Sequence, residues 1–153
     1  MKVTYRNPGF EHSIDSILLF QKEDTTPYWS DALTYFYPQI DKERLRALCP
    51  EGKKEYLLKE LKSVWNGLLD ELNRKVEAYN KHFSQYHGQI EDALSEAFEI
   101  DTGKIFNDLT GNICLNPVCP RFLDKRYFDV FYKNSERGAV GMSIHEVIHY
   151  IWF

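Results

Sequence analysis

Between Glu51 and Tyr86 the apolar residues Leu57, Leu61, Val64, Leu68, Leu72, Val76, Tyr79 and Phe83 recur at steps of three and four, the spacing that keeps one stripe of an α-helix apolar. Such a helix runs roughly 50 Å at about 1.5 Å per residue, so the rest of a small domain must pack along it. Gly67 or the polar stretch near Asn73 marks a candidate bend. Gly88 is expected to break the pattern, with Ile90, Leu94, Ala97 and Phe98 defining a further helix to about Glu99. Upstream, Thr26 is placed to cap a helix with Pro27 at its first position, and residues 28–37 carry Trp29, Leu33 and Phe36 at helical spacing before Pro38 ends the run. A shorter helix over about 41–48 halts at Cys49-Pro50.

After Asp101 the character changes. The runs Ile113-Cys114-Leu115 and Tyr127-Phe128-Asp129-Val130-Phe131-Tyr132 are short, apolar and β-favouring, and a loop with Pro117 and Pro120 separates them. They predict two or three short strands. A polar connection over 133–141 then leads to a last helix that opens at Ser143 or shortly before it. The fold class expected is α+β: a mainly helical N-terminal part, a small mixed or antiparallel sheet, and a C-terminal helix. At 43% hydrophobic, residues 1–153 suffice for a single domain with a real core. With 19 Lys+Arg against 23 Asp+Glu, no basic excess exists to neutralise a phosphate backbone, which argues against nucleic acid as a partner. Cys49, Cys114 and Cys119 form no disulfide framework. The N-terminal stretch lacks a secretory apolar core, and residues 13–20 are too short and interrupted to span a bilayer. These features predict a cytoplasmic protein with no membrane partner.

Near the end stands His145-Glu146-Val147-Ile148-His149. Residues four apart lie one turn along the same helix face, so two imidazoles can aim at one point, and zinc accepts neutral imidazole readily. Glu146 is turned about 100° from His145, which suits a general base and not a ligand. Zinc activates a water and polarises a carbonyl, while Glu146 takes the proton and passes it to the leaving amine. Hydrolysis of a peptide or other amide bond is the reaction class this set suits. Ile144, Val147, Ile148, Ile151 and Trp152 flank the histidines and predict a buried active-site helix. A structural alternative stays open. Ser143 and Glu146 form an S-x-x-E capping box, in which Glu146 bonds back to the backbone of Ser143 and the histidines are polar tips of an apolar helix.

The HEVIH stretch, preceded by short strands and a helical region, resembles the zincin superfamily of metallopeptidases. The resemblance implies His145 and His149 as zinc ligands and Glu146 as the catalytic carboxylate. The metzincin form asks for Gly three residues after the second His, where this chain has Trp152. The gluzincin form takes its third ligand, a Glu, from a later helix. The expectation is therefore the N-terminal part of a longer zincin-like domain, lacking the third ligand, with zinc as cofactor and a peptide or protein as substrate. His12, His82 and His87 have no spacing that singles them out as that ligand. Cys114 and Cys119 read as buried or strand-flanking thiols. In zincins an edge strand lines the cleft and pairs with extended substrate, and Asn112, Ile113, Cys114 and Leu115 occupy the corresponding place, as candidate substrate-binding residues. The aromatic C-terminal helix is also a candidate for self-association. The rival function is a non-catalytic helical interaction module with an incidental HExxH.

Overall fold

A computed structural model describes residues 1–21, 27–105 and 108–152. In chain order the elements are β1 (Val3–Arg6), α1 (Phe10–Leu18), α2 (Pro27–Phe36), α3 (Lys42–Ala47), α4 (Pro50–Phe98), α5 (Thr102–Ile105), β2 (Leu109–Cys114), β3 (Arg121–Phe122), β4 (Tyr127–Phe131) and α6 (Glu136–Trp152). The cap expected at Thr26 lies outside the described residues. The class is mixed α+β, mainly helical with one small sheet.

The helix expected over 51–86 is longer than its sequence signal. α4 is one helix of 49 residues, about 70 Å long, and Gly88 does not end it. Gly88 costs about 1 kcal/mol relative to Ala. Ile90 and Leu94 continue the buried stripe of Leu72, Tyr79 and Phe83 at steps of seven and four, and each such side chain gains about 1.5–3 kcal/mol on burial. Packing wins over propensity. The helix begins with Pro50 in its first turn and stops at Glu99, which is left-handed at φ 56°.

Four strands form a sheet in the order β1-β2-β4-β3. β1 runs parallel to β2 and β2 parallel to β4, while β3 is antiparallel to β4. β1 was not legible in the sequence, since four residues with Val3 and Tyr5 inward leave a weak alternation. Its outer edge is closed by Asn80 of α4, whose Oδ1 accepts from Tyr5 N at 2.8 Å and whose Nδ2 donates to Tyr5 O at 3.0 Å.

On one sheet face, the ring of Tyr5 meets Tyr79 and Phe83 edge-on, with centroids 5.3 and 6.4 Å apart. Its hydroxyl donates to Ala139 O of α6 at 2.8 Å and touches the Ser143 hydroxyl. Gly111 of β2 leaves room for that ring: a Cβ there would lie 2.7 Å from Tyr5 Cδ1 and 2.9 Å from its Cε1. Alternate residues point to the other face, where His12 of α1 meets Asp129 Oδ1 at 2.8 Å. Asn112 donates to the same oxygen at 3.1 Å and accepts from Arg6 Nε at 2.8 Å. No helix among the described residues is long and apolar enough to cross a membrane.

α6 begins earlier than Ser143. Ser135 Oγ accepts from Gly138 N at 3.1 Å and Ser135 O from Ala139 N at 2.8 Å, so Ser135 caps the helix despite Gly138 and Gly141 in its first turns. Ser143 lies inside α6 and donates back to Ala139 O at 3.1 Å. The Ser143–Glu146 capping box is not formed.

Two glycine substitutions separate these roles. Gly111→Ala is expected to destabilise the fold by about 1–3 kcal/mol through overpacking against Tyr5. Gly67→Ala, with nothing within 4 Å of its added Cβ, is expected to stabilise by up to about 1 kcal/mol. Urea unfolding midpoints read both, and equal effects of the two would refute the close approach at Gly111.

Candidate active site

α6 turns a stripe of Ala139, Val140, Ser143, Glu146 and Val147 into the protein. Four of these are small or aliphatic residues that suit a helix on a sheet. Glu146 is the exception, 1% exposed at a place where an aliphatic side chain would pack. Its Oε2 has no hydrogen-bond partner among the described residues. Leaving such a group unsatisfied costs about 1–3 kcal/mol, and buried unsatisfied groups in folded proteins often mark a catalytic role or a missing ligand.

His145 and His149 lie on the neighbouring, outward face. Their Nε2 atoms are 3.0 Å apart, with ring centroids at 4.6 Å and planes at 77°. Two nitrogens about 2.0–2.1 Å from a tetrahedral zinc stand about 3.4 Å apart, so a small rotation of either ring fits the pair to one metal. Glu146 Oε1 lies 3.9 Å from His145 Nε2. The helix thus brings the two imidazoles together and one carboxylate oxygen near the first of them. The expected burial of the flanking residues is partial. Val147 is fully buried and Ile144 half-buried, but Ile148 is 37% and Trp152 74% exposed, because no described element covers that face.

A third ligand does not join them. Among the described residues, no group of three or more His, Cys, Asp or Glu is placed to hold a metal ion. His12 is taken up by Asp129, and the exposed His87 turns its Nδ1 to Ser84 O at 2.9 Å. His82 lies against Tyr86 and lines a groove of about 640 Å³ between α4 and α6, along with Arg137, Val140 and Ile144. That groove is separate from the two candidate ligands. Cys114 is buried and Cys119 half-buried, and burial pushes both thiols up, Cys119 to about 11. Neither is a thiolate at neutral pH.

The strand expected to take substrate is in the wrong place for that role. Asn112, Ile113 and Cys114 belong to β2, which is paired on both sides, and Leu115 directly follows it. All four are buried at 2% or less, so no further strand can be added there. The free edge beside α6 is β3. Sequence reasoning passed over it because two residues directly after Pro120 carry no strand periodicity. Tyr150 of α6 donates to Phe122 O and Tyr127 O, each at 3.0 Å, and so ties the helix to β3 and β4. Arg121, the first residue of β3, brings Nε to 4.0 Å from Glu146 Oε2. This cation was also missed, because it stands 25 positions before Glu146 with no local pattern joining them.

Burial raises the Glu146 carboxyl above its ordinary value, and the nearby His145 and Arg121 offset part of that rise. Loss of hydration lowers His149, and the positive charges of Arg121 and His145 lower it further. A raised carboxyl favours the folded state fully below the ordinary value of 4.5 and loses that contribution as pH rises through the folded-state value. For the lowered His149 the contribution is present above 6.5 and lost as pH falls through the folded-state value. Glu146→Gln is therefore expected to stabilise the protein at pH 7 by about 1 kcal/mol, with the gain fading near pH 4. Thermal unfolding at the two pH values tests this, and a variant less stable than wild type at pH 7 would contradict the cost of burying a carboxylate oxygen without a hydrogen bond. No protein-family model, curated protein or solved structure matches this chain.

Proposed function

We propose that this chain carries part of a zinc-dependent peptidase site of the zincin kind, with a peptide or protein as substrate. The observation that supports this best is the convergence on α6: two Nε2 atoms 3.0 Å apart beside a fully buried carboxylate with an unpartnered oxygen. His145 and His149 would hold the metal, two of the three protein ligands that a catalytic zinc takes. When bound, zinc supplies a Lewis acid that polarises the scissile carbonyl and acidifies water.

The chain's own residues do the rest. Glu146 accepts the proton of the attacking water at a carboxylate oxygen, then delivers it to the departing amine nitrogen. Its raised affinity for a proton brings it nearer the neutral range where a base that must also act as an acid works best. The wall of α6 and the sheet behind Glu146 keep bulk water from its carboxylate. β3 offers the unpaired edge along which an extended peptide can lie next to the helix.

Zinc titration by calorimetry or chelator competition tests the metal-binding half. His145→Ala and His149→Ala are each expected to weaken zinc binding at least tenfold, about 1.4 kcal/mol or more. Glu146→Gln should leave zinc affinity nearly unchanged and reduce hydrolysis of a mixed peptide library, read by mass spectrometry, by about 10²–10⁴. Affinity that is indifferent to His149→Ala would favour the interaction module, whose docking face would be the apolar groove between α4 and α6.

A further inference from the structure

Arg121 has a role to fill that its ion pair does not exhaust. Its closest approach to Glu146 is 4.0 Å, beyond hydrogen-bond range, and it makes no hydrogen bond to a described residue. The side chain is 36% exposed, whereas that of Glu146 is 2% exposed. The guanidinium therefore stands outside the carboxylate, and an incoming anion meets the cation first. Other cations near this edge are engaged: Arg126 pairs with Asp108, and Lys125 lies over the Phe122 ring at 5.9 Å. Arg121 also opens the unpaired edge strand, where the backbone of an extended peptide would run.

A planar guanidinium with free donors matches a carboxylate through two parallel hydrogen bonds. We infer that Arg121 is the substrate-recognition residue of this site, selecting peptides that present a carboxylate, a free C-terminus or an Asp or Glu side chain, next to the bond to be cut. The inference rests on the peptidase reading, and binding tests it without turnover.

The probes are fluorescein-labelled alanine tetrapeptides with a free C-terminus, with a C-terminal amide, and with an amide plus one Glu. Fluorescence anisotropy at low salt is expected to show wild type binding at least one carboxylate probe about tenfold tighter than the neutral amide. The stronger of the two carboxylate probes identifies the source. Arg121→Ala should erase the preference and Arg121→Lys should retain part of it, with the neutral amide bound equally by all three proteins and circular dichroism unchanged. His149→Ala should keep the preference while losing zinc, so that a failure of the metal-site reading is seen separately. Binding of none of the probes, no preference in wild type, or a preference that survives Arg121→Ala or vanishes with His149→Ala would overturn the assignment.

Discussion

Tyr5 sits where the sheet and two helices meet. Its ring lies against Gly111, its edge contacts reach Tyr79 and Phe83 of α4, and its hydroxyl holds the Ala139 carbonyl beside Ser143. Aromatic contacts of this kind add about 0.5–1.5 kcal/mol beyond area burial, and the Ala139 carbonyl satisfies the buried Tyr5 hydroxyl. The same side chain thus fixes both the distance of α4 from the sheet and the rotation of α6 upon it.

That rotation decides which side chains reach the core and which reach solvent. With Ala139 and Ser143 turned inward, Glu146 follows on the same stripe and enters the core, while His145 and His149 fall on the outer face. Tyr150 then anchors the far end of the helix to the carbonyls of Phe122 and Tyr127. Anchors at both ends hold a charged group where packing alone would reject it. Sites that depend on a strained or desolvated group are commonly kept in place by surroundings of this sort.

What the sequence made legible follows from where the signal resides. The stripe of α4 and the i, i+4 histidines are local patterns, and both could be read directly. The end of α4 was missed because Gly88 speaks locally against the helix while Ile90 and Leu94 speak for it through distant contacts. β1 and β3 are too short for alternation to register, and assigning an edge requires the strand order, which no local pattern encodes. For this reason Asn112 to Leu115 drew attention as an edge although Asn112 to Cys114 lie on an inner strand and Leu115 directly follows it, and Arg121 drew none. The start of α6 was placed too late because Ser143 stands three residues ahead of Glu146 in a capping-box pattern, whereas Gly138 and Gly141 speak locally against helix; the cap at Ser135 puts Ser143 inside the helix.

The parallel pairing of Val3 with Leu109 has a bearing on how the molecule is made. During synthesis β1 leaves the ribosome long before its partner strand exists, and closing so long a loop is entropically slow. Until then, the inner sides of Val3 and Tyr5 need shelter from water. Asn80 can meet the backbone of Tyr5 through both of its amide atoms, so α4 can dock the nascent strand first and hold its place for β2. In the finished fold the helix stands in for a further strand at the outer edge of β1.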